Sequence, residues 1–177
     1  MEAVLPDILA ERLAVVFAGI NPGLTAAGGH HFASGTNRFW RAIHHAGFTA
    51  EQLPTWRDRE ILHYGCGLTT VVARPTARAD QLSAQDFAAS AAPFEAKIRH
   101  YTPRFIGFLG KAAYCAINGR RDVAWGLQPD RFGAAQAWIL PNPSGRNRAF
   151  SFAQLVDAYR ALYCASNIER TGSHSNA

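Results

Sequence analysis

One apolar run and the turn after it organise this chain: Val15-Val16-Phe17-Ala18-Gly19-Ile20-Asn21-Pro22-Gly23. Residues with strand preference that stop at Gly, Asn, Pro and Gly predict a buried strand feeding a tight loop. In an open α/β sheet, ligands bind where such loops leave the carboxyl ends of strands. Pro22 fixes its own φ and restricts Asn21 to extended conformations, so the Asn21 amide is expected to be held in place. An ordinary strand-ending turn is the alternative for this motif alone.

Similar apolar runs recur along the chain and alternate with helical patterns. Strands are predicted at 14–18, 68–72, 105–109 and 137–140. Amphipathic helices are predicted after Asn37, before Tyr101 with a kink or break at Pro93, from Lys111, and from Ser151. The segment 51–64 suggests a shorter helix, whereas 118–136 is polar and predicted to be irregular. Repeated strand, loop and helix units predict an α/β fold with three α/β/α layers and a central, mainly parallel sheet.

Length and composition set broad limits on the protein. The chain has 177 residues, so we expect residues 1–165 to form a single domain and residues 166–177 to be a disordered tail. The formal charge of +5 is compatible with a polyanionic partner. Three widely spaced cysteines favour a reducing compartment and fit neither zinc nor iron–sulfur sites. We expect a soluble, cytoplasmic monomer without a cofactor, a metal ion or a membrane segment.

A loop rich in Gly, Ala, Ser and Thr occupies residues 24–36 and contains His30, His31 and Phe32. Long irregular loops in compact domains commonly bind something, so we predict an ordered functional loop. The histidine pair lacks a carboxylate or cysteine at ligand spacing, which argues against a metal site. Phe32 lies outside any amphipathic face. It is either a stacking platform for a ligand or a core residue, and the sequence leaves both roles open.

Three loops are expected to meet at the carboxyl edge of the sheet. They contain Asn21, the segment 74–76 and the basic segment 142–148. Together they offer a rigid amide, an aromatic ring nearby and projecting arginines. This combination suits a planar polar ligand that is attached to a phosphate backbone. Lys111 follows another strand and is a candidate phosphate contact, although the upstream glycine of a Walker motif is missing.

Several motifs of this chain carry a family resemblance. They are Gly19-Ile20-Asn21-Pro22-Gly23, then Phe32, then Asn37-Arg38-Phe39-Trp40, and finally Leu140-Pro141-Asn142-Pro143-Ser144-Gly145. In this order and separation they resemble the mismatch-specific uracil-DNA glycosylases, relatives of the thymine-DNA glycosylases, from about Val15 to Ala161. The resemblance implies a uracil-DNA glycosylase-like fold. It also implies a monofunctional enzyme that flips uracil out of DNA, preferably from U·G mismatches, and hydrolyses its N-glycosidic bond to leave an abasic site.

The family pattern also assigns roles to individual residues. Asn21 would hold the attacking water and Phe32 would stack on the flipped base. Ile20, Gly23 and Thr70 would line the base pocket. The partner would be double-stranded DNA that contains uracil mismatches, with single-stranded DNA as a second candidate. The DNA-contacting residues would be Asn142, Ser144, Gly145, Arg146 and Arg148, and Lys111 is added to them as a candidate phosphate contact because of its position after a strand.

The chain departs from the family pattern at two positions. Asn21 stands where related uracil-DNA glycosylases have an aspartate, and an amide can orient water but cannot accept its proton. Arg146 stands where the family has an apolar intercalating side chain, and its planar guanidinium can stack or pair with guanine. Asp80, in the loop after residues 68–72, is therefore a second catalytic candidate, although the sequence favours an exposed aspartate without a role at this position. Asp86 is expected to cap a helix with Ser83.

Two other functions remain compatible with these residues. One is a non-catalytic protein that binds damaged or single-stranded DNA, with Asn21 serving only base recognition. The other is a nucleoside or nucleotide hydrolase, although the arginine-rich loop at 142–148 argues against a small free substrate. Alkali-labile breaks in uracil-containing DNA separate the enzyme from the binder. A steep loss of binding with salt separates DNA from a free nucleoside.

Overall fold

A five-stranded sheet forms the centre of the fold in the computed structural model, which describes residues 5–172. The strand order is β2-β1-β3-β5-β4. The first four of these are parallel, whereas β4 runs antiparallel to β5 at the edge. Val15 lies opposite Cys66 on one side and Phe105 on the other, which fixes the register of the central strands. The strands are β1 (Val15–Gly19), β2 (Cys66–Thr70), β3 (Phe105–Leu109), β4 (Gly126–Phe132) and β5 (Ala135–Leu140).

Helices cover both faces of the sheet, as predicted. They are α1 (Phe39–Ala46), α2 (Ala84–Tyr101), α3 (Lys111–Asn118) and α4 (Phe152–Gly172), with 3-10 segments at Leu24–Gly28, Thr55–Tyr64 and Ala79–Gln81. Helices α1 and α4 pack with Phe17 in one apolar cluster, and α2 and α3 pack with Val16 in another. Neighbouring residues of a strand point to opposite faces, so the two core layers alternate along β1. The three-layer α/β/α architecture is confirmed.

The prediction that residues 118–136 are irregular is wrong. Gly126–Phe132 forms strand β4, whose buried side chains are only Gln128 and Phe132. An edge strand of this kind carries no apolar run that would mark it in the sequence. Pro129 also lies within it, which edge strands tolerate because one side of the backbone needs no partner.

Three further boundaries differ from the expectations. The helix predicted in 51–64 is a 3-10 segment over Thr55–Tyr64, and α2 continues through Pro93 without a break. Helix α4 extends to Gly172, so residues 166–172 continue a helix where a tail was expected, and residues 173–177 lie outside the described residues. Among the described residues, no helix is long and apolar enough to cross a membrane.

Candidate active site

A cavity of about 360 Å³ opens at the carboxyl edge of the sheet, a volume typical of small-ligand sites. Main-chain hydrogen bonds join the loops around it. Thr76 N donates to Pro22 O at 3.1 Å, and Gly110 N donates to Leu140 O at 2.7 Å. Most of the predicted site residues line this cavity, namely Ile20, Asn21, Gly23, Phe32, Thr70, Asn142, Ser144 and Arg146. Loops from distant parts of the sequence therefore meet at one edge of the sheet, as expected for loops that follow the carboxyl ends of parallel strands.

The Asn21 amide is fixed by two hydrogen bonds. Its Nδ2 donates to the Arg74 carbonyl and to Thr76 Oγ1, both at 2.8 Å. A carbonyl oxygen only accepts, so the amino group of the amide must face Arg74 and its orientation is settled. Thr76 Oγ1 in turn donates to Arg78 O at 2.7 Å, which directs its lone pairs toward Asn21. No described residue donates to Asn21 Oδ1, which leaves this oxygen as an acceptor at the cavity.

Phe32 lies between the core and the cavity. Its ring stacks on the buried Phe39 ring with centroids 4.0 Å apart and planes at 25°, and it also lines the cavity. Its backbone has a φ of 55°, a conformation that bulky side chains rarely adopt. Such strain persists only where surrounding contacts hold the residue, and it is commonly found at functional sites.

The residue before Phe32 supplies those holding contacts. His31 N donates to Asp58 Oδ2 at 3.0 Å, and His31 O accepts from Trp40 Nε1 at 3.1 Å. The His31 ring donates from Nε2 to the Pro6 carbonyl at 2.8 Å, which places its proton on that nitrogen. Burial lowers the pKa of His31, so the ring is neutral near pH 7. The loop that carries Phe32 is thus tied to three separate segments of the fold.

The loop after β5 is held by its own side chains. Asn142 Oδ1 accepts from Ser144 N at 2.9 Å, and Asn142 O accepts from Asn147 Nδ2 at 2.9 Å. The first bond leaves the Asn142 amino group as a donor at the cavity, and no described residue accepts from it. Gly145 is required in this loop because a Cβ atom there would lie 2.8 Å from Thr36 O. Its neighbour Arg146 is exposed at the cavity rim.

Arg38 anchors the same loop from the opposite side. Its guanidinium donates to the carbonyls of Phe150 at 2.8 Å, Asn147 at 2.9 Å and Ser144 at 3.3 Å. Arginine presents several donors in a fixed plane, so one side chain can hold three carbonyls. We assigned Arg38 no role from the sequence, although it lies within the Asn37-Arg38-Phe39-Trp40 motif. The sequence feature that could have pointed to Arg38 was its position directly before the apolar first residues of a predicted helix.

The structure does not bring Asp80, Lys111, Gly145 or Arg148 into the cavity lining. Asp80 is 72% exposed, and its carboxylate accepts from Arg78 Nε at 3.1 Å. The loop after β2 reaches the cavity through its residues at 77–79, and the lining does not extend to Asp80. Lys111 Nζ pairs with Asp122 at 3.1 Å on the neighbouring surface. Arg148 is exposed beyond the rim.

Asp86 has the structural role that the sequence predicted. It forms a capping box with Ser83 at the start of α2, and its carboxylate also accepts from Arg74. These hydrogen bonds, the one from Arg74 foremost, hold the pKa of Asp86 well below its usual range. It is therefore ionised and fully engaged at neutral pH. Asp86 binds the guanidinium of Arg74, and the main-chain carbonyl of the same residue accepts from the Asn21 amide.

The comparison with known protein families agrees with this geometry. The family model described as the uracil DNA glycosylase superfamily matches residues 6–163. The matched region includes all five strands and every residue that lines the cavity apart from Leu5. The chain therefore belongs to the uracil DNA glycosylase superfamily, which makes it a DNA glycosylase that acts on DNA.

Proposed function

We propose that this protein flips uracil out of DNA, preferably from U·G mismatches, and hydrolyses the N-glycosidic bond to leave an abasic site. The observation that carries the proposal is the Asn21 amide. Both of its amino hydrogens are bound by the loop after β2, which leaves Oδ1 as a fixed acceptor at the cavity. A fixed acceptor can orient a water molecule toward the sugar carbon that carries the base.

The chemistry follows from the two amides in the cavity. As the bond between C1′ and the base nitrogen breaks, its electron pair leaves with uracil and positive charge develops on the sugar. Water held by Asn21 Oδ1 forms the new bond to C1′ and releases its proton to solvent, since an amide cannot take it. The Asn142 amino group is suited to donate to a uracil carbonyl oxygen, where negative charge grows. Donors aimed at developing charge lower the barrier.

Base flipping explains the preference for mismatches. Extrusion of a nucleotide costs a few kcal/mol and is cheapest where pairing is already weak, as at U·G. Arg146 is exposed at the rim of the cavity, so its guanidinium is placed to fill the space that the flipped nucleotide leaves. Its planar fork can also pair with the orphaned guanine.

We expect Asp80→Asn to excise uracil within about twofold of the parent rate. The substitution is nearly isosteric and removes the charge of a side chain that lies outside the cavity and faces Arg78. Single-turnover excision from a U·G duplex measures the effect. A loss of about tenfold, equal to about 1.4 kcal/mol in the barrier, would instead make Asp80 part of the chemistry.

We expect Phe32→Ala to weaken capture of the flipped base by roughly tenfold to a hundredfold, because one base–aromatic stack is worth about 1–3 kcal/mol. It should also lower the melting temperature, since the Phe39 contact is lost. Phe48→Ala is the matched control, because Phe48 is a buried partner of Phe17 that does not line the cavity. Single-turnover rates at several enzyme concentrations separate capture from stability. Equal activity of the two variants per folded molecule would reduce Phe32 to a core residue.

Two measurements separate this function from its alternatives. Alkali-labile breaks at uracil in an oligonucleotide require bond hydrolysis, which a non-catalytic DNA binder cannot perform. DNA binding should weaken steeply as salt rises, because phosphate contacts release counterions. Conversion of free deoxyuridine without such salt dependence would favour a nucleoside hydrolase instead.

A further inference from the structure

An exposed aromatic surface lies beside the loop after β5. It consists of Trp125, Lys111 and Phe150, and we call it the Trp125 shelf. Lys111 Nζ lies 4.8 Å from the centroid of the Trp125 ring, and the Phe150 ring meets Trp125 at 5.2 Å with planes at 81°. Despite these contacts, Trp125 remains 45% exposed. A large aromatic ring that its neighbours hold in place and that remains open to solvent can offer a flat face for stacking.

The Trp125 shelf is physically continuous with the cavity rim. The Phe150 carbonyl accepts from Arg38, and the same guanidinium binds the carbonyls of Ser144 and Asn147 in the rim loop. On the other side, Lys111 begins α3 directly after Gly110, where a Cβ atom would lie 3.6 Å from Asn142 Cβ. The shelf is therefore linked through Arg38 and Gly110 to the loop that carries Asn142 and Arg146.

The charge around the shelf suits a polyanion. Arg121, in the loop that leads to Trp125, and Arg146 and Arg148 in the rim loop are exposed. No described carboxylate pairs with any of these three arginines. The nearby acidic residues Asp122 and Asp130 are engaged by Lys111 and Arg120. A strand of nucleic acid that leaves the cavity on this side would meet uncompensated positive charge and an aromatic plane.

We propose that the Trp125 shelf stacks an unpaired nucleobase of single-stranded DNA, with the surrounding cations drawing its phosphates. The inference rests on the proposed function in that it takes DNA as the ligand. Bases of a duplex are stacked inside the helix and present no free face, so a stacking surface serves unpaired strands. Every base has a π face, so the contact tolerates any sequence. The shelf thereby extends the substrate range of the cavity to uracil in single strands.

The test is binding of a uracil-free, labelled single-stranded oligonucleotide, compared with a duplex of the same sequence. Trp125→Ala should bind the single strand about tenfold more weakly, the loss of one stacked base, and the duplex within about twofold of the parent. Trp125→Phe keeps an aromatic plane and should restore most of the affinity. It also guards against a variant that merely misfolds.

Trp56→Ala is the matched control. Trp56 is 71% exposed, and its neighbour Arg57 is bound to Glu51 and Glu60. Quenching of tryptophan fluorescence by the single strand should persist in Trp56→Ala and shrink in Trp125→Ala. Parent-like binding of the single strand by Trp125→Ala, or equal losses on single strand and duplex, would overturn the proposal.

These binding measurements do not depend on uracil excision. Failure of the glycosylase activity would leave the stacking result intact. Conversely, normal excision with unchanged single-strand binding in Trp125→Ala would reject only the Trp125 shelf.

Discussion

Asn21→Ala is expected to lower single-turnover excision of uracil from a U·G duplex by about a hundredfold to a thousandfold, the usual effect of removing one preorganised polar group. The methyl group removes the acceptor that orients water. Folding should change little, since Asn21 lies in a turn at the cavity and not in the core. DNA binding should likewise stay close to that of the parent, because the exposed arginines are untouched.

Thr76→Val provides the graded control for this prediction. It keeps the shape of a buried side chain but removes one of the two acceptors that fix the Asn21 amide. The acceptor Oδ1 remains, held only by the bond to Arg74. We expect a loss of about fivefold, smaller than that of Asn21→Ala, because a single hydrogen bond is worth about 1 kcal/mol. Excision by Asn21→Ala at the parent rate would contradict the role assigned to this amide.

Arg146→Ala is expected to impair duplex substrates far more than single-stranded ones. We predict a loss of about tenfold to a hundredfold on a U·G duplex, because the guanidinium offsets part of the few kcal/mol that flipping costs. A single strand has no pair to open and no gap to fill, so uracil there should be excised within about threefold of the parent rate. Single-turnover rates on the two substrates measure the ratio directly.

Arg148→Ala is the matched control for Arg146→Ala. Arg148 is an exposed arginine two residues further along and does not line the cavity. A simple phosphate contact should serve duplex and single strand alike and should weaken as salt rises. Equal losses on both substrates in Arg146→Ala would reduce that residue to a phosphate contact as well.

The parts of the fold that carry apolar runs could be predicted from the sequence. Strands β1 and β3 are buried at every position, so their residues form continuous apolar stretches. Strand β5 ends in the apolar run Ala137-Trp138-Ile139-Leu140, although Gln136 and Trp138 are only partly buried. Strand β4 was not predicted because an edge strand buries few of its side chains, here Gln128 and Phe132, and therefore has no apolar run in the sequence. The end of α4 was also misplaced, since its last turns lack an apolar pattern.

The site was predictable where a residue type itself restricts the backbone. Asn21 precedes Pro22, and Asn142 precedes Pro143, so the sequence identified both residues as conformationally restricted site candidates. The residues that fix the Asn21 amide and the loop of Asn142 could not be identified in this way. Thr76 and Arg38 act through contacts with segments 55 to 112 positions away in sequence, which no local pattern reveals.

Asp58 and Asp80 also show that position in the sequence does not reveal tertiary contacts. Nothing in the sequence singled out Asp58, whereas the sequence suggested a site role for Asp80. Asp58 is buried and fixes His31 from a distant segment, yet in the sequence it resembles an ordinary charged residue of a polar stretch. Asp80 directly follows the residues with which the loop after β2 reaches the cavity, yet its side chain is 72% exposed and does not line the cavity. Tertiary contacts set the path of a loop. A residue such as Asp80 can therefore lie outside the cavity lining although the residues directly before it in the sequence belong to it.

The most direct test of the proposed chemistry is single-turnover cleavage of one labelled oligonucleotide that carries U·G, U·A, T·G or single-stranded uracil, with alkali used to break abasic sites. Cleavage should occur at the uracil position, and it should be fastest for U·G, where flipping is cheapest. The same reaction with Asn21→Ala should give almost no cleavage at the uracil position. Parent protein that binds these oligonucleotides but yields no alkali-labile break at uracil in any of them would contradict the account.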